Sequence, residues 1–135
     1  MRLVLDANVV VQISLAGGAL GPLDGHDLVA PPIMASEFTS VLSELTFRGD
    51  IPADAGRRAV AQFSGLGIRR EEPDGLFEHA WDLSRQLGWA KSYDAEYVAL
   101  AVSLGAPLVT LDGRLRRGAG HIVQMPLITE LEAPP

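Results

Sequence analysis

Two short runs constrain this chain more than any other feature: "LVLD" at 3–6 and "LVTLD" at 108–112. Each is an apolar stretch of strand length that stops on a carboxylate. A strand that is apolar on both sides of its pleat has to be covered on both faces, the condition of a central strand in a parallel sheet. Between the two runs the pattern changes to helical spacing: Met34, Phe38, Val41, Leu42 and Leu45 recur at intervals of three and four.

Read along its length, the chain alternates. A strand is predicted over 2–6, then a helix from Val9 to about Ala16 that ends at Gly17-Gly18. A second strand near Leu28–Ala30 is stopped by Pro31 and Pro32. Helices follow from Ile33 to about Arg48 and over "IPADAGRRAVAQF", where Pro52 occupies the first turn. A third strand is expected around Gly67–Arg70. Two further helices read as "PDGLFEHAWDLSRQLG" and "SYDAEYVALAVSLG", the latter with Ser92 as N-cap and Gly105 as stop. "PLVTLD" is the next strand and "HIVQM" the last. The alternation predicts an α/β fold, a three-layer α/β/α sandwich around a parallel sheet. Such sheets bind ligands beyond the carboxyl ends of their strands, near the point where strand order reverses. Asp6 and Asp112 are expected there.

At 135 residues the chain is expected to form a single domain over 1–135, with a frayed tail from about 130. Hydrophobic residues at 47% against 21% charged exclude wholesale disorder. No apolar run has bilayer-spanning length and no export signal precedes the first strand, so a cytoplasmic protein without membrane association is expected. The absence of cysteine removes disulfides, thiolate nucleophiles and cysteine zinc sites. His26, His79 and His121 are scattered without metal-ligand spacing. "GGALG" has no strand directly before it and lacks the dinucleotide fingerprint. A net charge of −6 argues against nonspecific nucleic-acid binding through net charge. It does not argue against a nucleic-acid enzyme whose acids are neutralised by cations. Two loose clusters, Arg48, Arg57, Arg58 and Arg114, Arg116, Arg117, carry groups suited to phosphate and equally to a solvated surface. Trp81, Trp89, Tyr93 and Tyr97 read as packing residues.

Each acid taken alone has an ordinary structural explanation. Asp6 and Asp112 could each be a cap for the following helix. Asp94, in the first turn of its helix, is favoured there by the helix dipole alone. Glu37 borders the apolar stripe of its helix: at about 100° per residue, Val41, Met34 and Leu45 fall within about 80° of it. Glu44 is expected to be a surface acid, and Glu96 to be solvated. Two matching strand-ending acids on one sheet edge, with Glu37 and Asp94 near the starts of helices on that edge, make four convergent carboxylates. At about 4 Å and an effective dielectric of about 20, each like-charged pair repels by about 4 kcal/mol. Such a cluster takes up protons or binds cations. Hard oxygen donors without His or Cys select Mg²⁺ or Mn²⁺.

In "LVLDANVV", "APPIMASEFTSVL", "SYDAEYVALA" and "LVTLDGRL" the chain resembles the PIN-domain nucleases, specifically the VapC-type ribonuclease toxins of toxin–antitoxin pairs. The resemblance implies a five-stranded parallel sheet, a Mg²⁺- or Mn²⁺-dependent endoribonuclease acting on RNA, a homodimer, and inhibition by a small antitoxin protein. It places Asp6, Glu37, Asp94 and Asp112 at the acidic, metal-holding and catalytic positions, and Asn8 and Thr110 at supporting polar ones. Some relatives carry a further acid shortly after the last Asp. Gly113, Arg114 and Leu115 stand here instead, so a second metal site would be incomplete, and Arg114 is a candidate for holding phosphate.

Two other classes compete. A haloacid-dehalogenase-like phosphatase would use Asp6 as a phosphoryl acceptor. That family expects an Asp where Asn8 stands and a lysine near the site, and Lys91 is the only lysine in the chain. A non-catalytic protein-binding module on the same fold is the third, and the presence of all four acids argues against it.

Overall fold

The computed structural model describes residues 1–132. Four strands, β1 (Arg2–Leu5), β2 (Asp27–Ala30), β3 (Arg69–Arg70) and β4 (Leu108–Val109), form one sheet in the order β3-β2-β1-β4. Every pairing is parallel, with Leu3 opposite Leu28 and Val4 opposite both Val29 and Leu108. Leu3, Val4 and Leu5 have no exposed surface, as an unbroken apolar strand at the centre of a parallel sheet requires.

Among the described residues there are six α-helices, five between the strands and one after β4: α1 (Ala7–Leu15), α2 (Met34–Phe47), α3 (Ala53–Gln62), α4 (Leu76–Leu87), α5 (Tyr93–Leu104) and α6 (Gly113–Ala119). From β1 to β3 the chain steps one way across the sheet, and then returns past β1 to β4. Right-handed crossovers therefore put α1–α3 on one face and α4–α5 on the other. The packing agrees, since α1, α2 and α3 touch one another and α5 lies against α4, β1 and β4. Residues 95–101 of α5 are all buried. At the opposite, amino end of the sheet Asp27 takes Arg69 at 2.8 Å and Arg2 at 3.1 Å, which tie β1, β2 and β3 together.

Four expectations change. The sheet has four strands, because "HIVQM" gives β4 a single backbone bond, Leu108 N to Gln124 O at 2.9 Å, instead of a ladder. α6 is an addition to the predicted elements: "GRLRRGA" has no apolar period, and it forms where Asp112 Oδ1 accepts from the backbone of Arg114 at 2.8 Å and Leu115 at 3.5 Å. Ser92 stands at the N-cap of α5 without a side-chain cap bond. Trp81 is 61% exposed, because the buried stripe of α4 is Leu76, Ala80, Leu83 and Ser84 and Trp81 falls off its edge. Of the tail expected to fray, residues 130–132 are described, with the His26 ring 2.9 Å from Glu132 O. Residues 133–135 lie outside the described residues.

Candidate active site

Strand order reverses between β1 and β4, and at that gap the two strand-ending acids meet through one threonine. Thr110 Oγ1 donates to Asp6 Oδ2 at 2.7 Å and accepts from the Asp112 backbone N–H at 3.0 Å. Asp6 Oδ1 accepts from Ala7 N at 2.7 Å, and so caps α1. Both acids are thus helix caps, and the capping role is the reason the chain can turn there. Asp6 goes further: it is only 6% exposed, and its second oxygen spends itself on Thr110, 2% exposed. Asn8 fastens the same corner, its Oδ1 accepting from Leu111 N at 3.3 Å.

α2 carries Glu37 and α5 carries Asp94 to this edge. Burial pushes the Asp6 carboxyl up to about 6, and the charges of Asp94 and Glu37 add to that rise against the hydrogen bonds from Thr110 and Ala7. Glu37 is raised by burial and by Asp94, and Asp94 by burial and by Asp112, with Arg114 pulling Asp94 the other way. Asp6, Glu37 and Asp94 therefore lie within electrostatic reach of one another, and Asp112 joins them through Asp94. Asp94 borders a cleft of about 570 Å³ with Trp89, Lys91 and Arg114 on its walls.

As the side chains stand, no three acids or histidines among the described residues are arranged to hold a metal ion. The donor set is nonetheless chemically suited to one: all oxygen, mutually repelling, and partly desolvated. Thr110 and Asn8 fix the Asp6 corner of that set.

Two residues depart from expectation. Tyr97 is buried as a packing residue would be, yet its hydroxyl donates to Glu37 Oε1 at 2.6 Å and holds that carboxylate from α5. The signal was available, since Tyr97 lies three residues after Asp94 on one helix face and a buried phenol needs an acceptor. Glu96 is not solvated but buried at 9% exposure, because it falls within the stretch 95–101 of α5 that is enclosed on every side; burial first, and then Glu37 and Glu72, raise its pKa. The arginines also divide. Arg116 Nη2 donates to Thr110 O at 2.9 Å and Nε to Met125 O at 3.4 Å, so Arg116 clamps the strand end to the last segment. Arg114 is exposed, with Nε 3.7 Å from Asp112 Oδ1. Arg48 and Arg58 pair with Asp50 and Asp54 on the surface.

These features define an α/β protein with an acidic site at the switch point of a parallel sheet. The model of the PIN domain family matches residues 3–120. Ribonuclease VapC9 of Mycobacterium tuberculosis is 37% identical over 114 residues, covering 84% of this chain and 87% of that protein. Among solved structures, PAE2754 from Pyrobaculum aerophilum superposes with a TM-score of 0.75 at 19% identity, over 97% of this chain and 92% of the other. VapBC-1 from nontypeable Haemophilus influenzae gives 0.62 at 18% identity, over 96% and 100%. The chain belongs to the PIN-domain family and, at this identity to VapC9, to its VapC branch.

Proposed function

We propose that the protein is an endoribonuclease that hydrolyses phosphodiester bonds of RNA, the toxin of a toxin–antitoxin pair, dependent on Mg²⁺ or Mn²⁺. The observation that carries the reading is the Asp6–Thr110–Asp112 linkage at the sheet's switch point, with Glu37 and Asp94 close enough to shift the titration of Asp6. The name of VapC9 supports the RNA substrate. The likeness to VapBC-1 supports a small protein partner. Asn8, which stands where a haloacid-dehalogenase would have its second Asp, is committed to the Leu111 backbone, and the family match leaves the phosphatase reading without support.

In this reading Asp6, Asp94, Asp112 and Glu37 would hold the cation. A bound Mg²⁺ or Mn²⁺ would supply charge neutralisation for the phosphate and a lower pKa for the attacking water. The chain's own groups do the rest. Thr110 and Ala7 fix both oxygens of Asp6, so that its direction is set before substrate arrives. Tyr97 holds Glu37 Oε1, which leaves Oε2 to accept the proton of the attacking water. The water oxygen bonds to phosphorus as the bond to the leaving ribose oxygen breaks, and that oxygen takes its proton from solvent.

Among the described residues no helix is long and apolar enough to cross a membrane. RNA as substrate implies a cytoplasmic site of action. Phe77 and Trp81, exposed and four apart on α4, form an apolar face of the kind a second copy covers, which supports the homodimer. The test is incubation of the purified chain with single-stranded RNA in Mg²⁺ or Mn²⁺. Cleavage that stops on chelation is the expected result, and intact RNA under all metal conditions overturns the reading.

A further inference from the structure

The cleft beside Asp94 has a composition the hydrolytic site does not need. Its walls are Gly88, Trp89, Ala90, Lys91, Asp94, Arg114 and Leu115, and it measures about 570 Å³. In a chain of net charge −6 it gathers the only lysine, Lys91, with an exposed arginine and an indole. Neither Lys91 nor Arg114 is there to support the fold: Arg114 has 86% of its side chain exposed, and Lys91 has no ion pair among the described residues.

The indole is held by its backbone. Trp89 N donates to Ser84 O at 2.8 Å, and Arg85 Nη2 donates to Trp89 O at 2.7 Å, so the residue is fixed from α4 on both sides of its peptide. Gly88 before it, at φ 72°, makes the turn out of α4 that an L side chain would strain. One side of the ring rests on α6 at Gly118, where an added Cβ would come 3.1 Å from Trp89 Cζ2. The missing side chain lets the indole lie against the helix, and Trp89, only partly buried, lines the cleft together with Asp94 and Arg114.

A rigid aromatic surface beside two cations is the combination that binds single-stranded nucleic acid: the base stacks on the ring and the cations meet the backbone. We propose that this cleft is a subsite for the nucleotide next to the scissile phosphodiester of a single-stranded RNA, with Trp89 taking the base and Lys91 and Arg114 the adjoining phosphate. The proposal rests on the ribonuclease reading and adds to it how an acidic protein places a polyanion. Arg114 stands at the edge of the carboxylate cluster, with Nε 3.7 Å from Asp112 Oδ1 and its charge favouring ionised Asp94, so the phosphate it would meet lies next to the acids.

The two tryptophans give the test. A cleavage-resistant 2′-O-methyl oligonucleotide with a fluorescein label, its integrity checked on a gel, is titrated in Mg²⁺ buffer while anisotropy and tryptophan emission are both read. In Trp81→Phe protein, which keeps Trp89, emission is expected to fall saturably with the same midpoint as the anisotropy. In Trp89→Phe protein the quench is lost, and in Trp89→Ala protein the dissociation constant rises about tenfold. Lys91→Ala, a surface change that leaves the fold in place, is expected to weaken binding and to lower the salt slope of binding by about 0.7, the signature of one lost phosphate contact on a single strand.

Oligonucleotide binding without a Trp89 quench, with Lys91→Ala binding as tightly as the parent, overturns the subsite; that is the pattern of a cleft that serves a protein partner. No oligonucleotide binding by a protein that still cuts RNA overturns it equally. In both cases RNA cleavage by the parent protein stands, so the ribonuclease reading survives. Loss of cleavage at every metal concentration, by contrast, removes that reading by itself.

Discussion

Thr110 Oγ1 stands 2.7 Å from Asp6 Oδ2, and the two residues are 104 positions apart in the chain. The same oxygen accepts from Asp112 N at 3.0 Å, so one hydroxyl registers the ends of β1 and β4 against each other. Thr110→Val keeps the shape and removes both bonds. It leaves a buried carboxylate and a backbone N–H each short of a partner, at a cost of about 1–3 kcal/mol. Thermal denaturation should show the loss. Because the Thr110 bond favours ionised Asp6, the acid side of the pH–activity profile should also move to higher pH. A valine variant as stable and as active as the parent would refute this linkage.

Asp6 makes stability depend on pH in an unusual direction. Its native pKa of about 6 exceeds the ordinary aspartate value of about 3.9. Between those values the folded state holds more protons than the unfolded one, so stability falls as pH rises from about 4 to 6 and levels above. The full difference is about 3 kcal/mol. Asp6→Asn removes it. In chelator, the variant should melt on the order of 5–10 °C above the parent at pH 7.5, with the gap closing at pH 4, while losing all activity. Equal melting temperatures at both pH values would contradict the burial of an ionisable Asp6.

Divalent cation should reverse that penalty. An ion bound only by the native state stabilises it by about 2.7 kcal/mol at a hundredfold excess over its dissociation constant. Mn²⁺ is expected to raise the melting temperature by several degrees at pH 7.5 and far less at pH 5, where Asp6 is largely protonated. Asp94→Asn should abolish RNA cleavage, keep the circular dichroism of the parent, and shrink the Mn²⁺ shift. Cleavage at the parent's rate by this variant would remove Asp94 from the mechanism.

Tyr97→Phe isolates the support given to Glu37. The ring still fills its buried place, so the stability change should stay near 1 kcal/mol. Glu37 Oε1 loses its 2.6 Å donor, which favoured the ionised form, and the carboxylate becomes free to turn. Turnover should fall at least tenfold at saturating RNA, with the acid limb of the pH profile shifted upward. A profile that overlays the parent's would make Tyr97 a packing residue and nothing more.

Much of the architecture could be read directly. Leu3–Leu5 and Leu108–Val109 are strands because apolar runs of that length and continuity suit little else, and α2, α4 and α5 follow helical spacing with Gly88 and Gly105 at their ends. What escaped had no local period. α6 exists through the capping bonds of Asp112, not through its own composition. The last segment lies along β4 by one bond where a strand was expected. Glu96 and Tyr97 look like an exposed acid and a packing ring in a helix taken alone, and only enclosure of α5 by α4, β1 and β4 gives them other surroundings.

Sequence alone determined the residue types at the strand ends and helix starts: apolar runs, an acid to stop each, and caps that also carry charge. Those are local matters of pleat, period and turn chemistry. Only the tertiary structure decided that Asp6 and Asp112 share one hydroxyl, that Tyr97 holds Glu37, and that Arg114 joins Trp89, Lys91 and Asp94 around one cleft. Each of these depends on β4 returning to pair with β1, a contact between distant parts of the chain that no local pattern encodes.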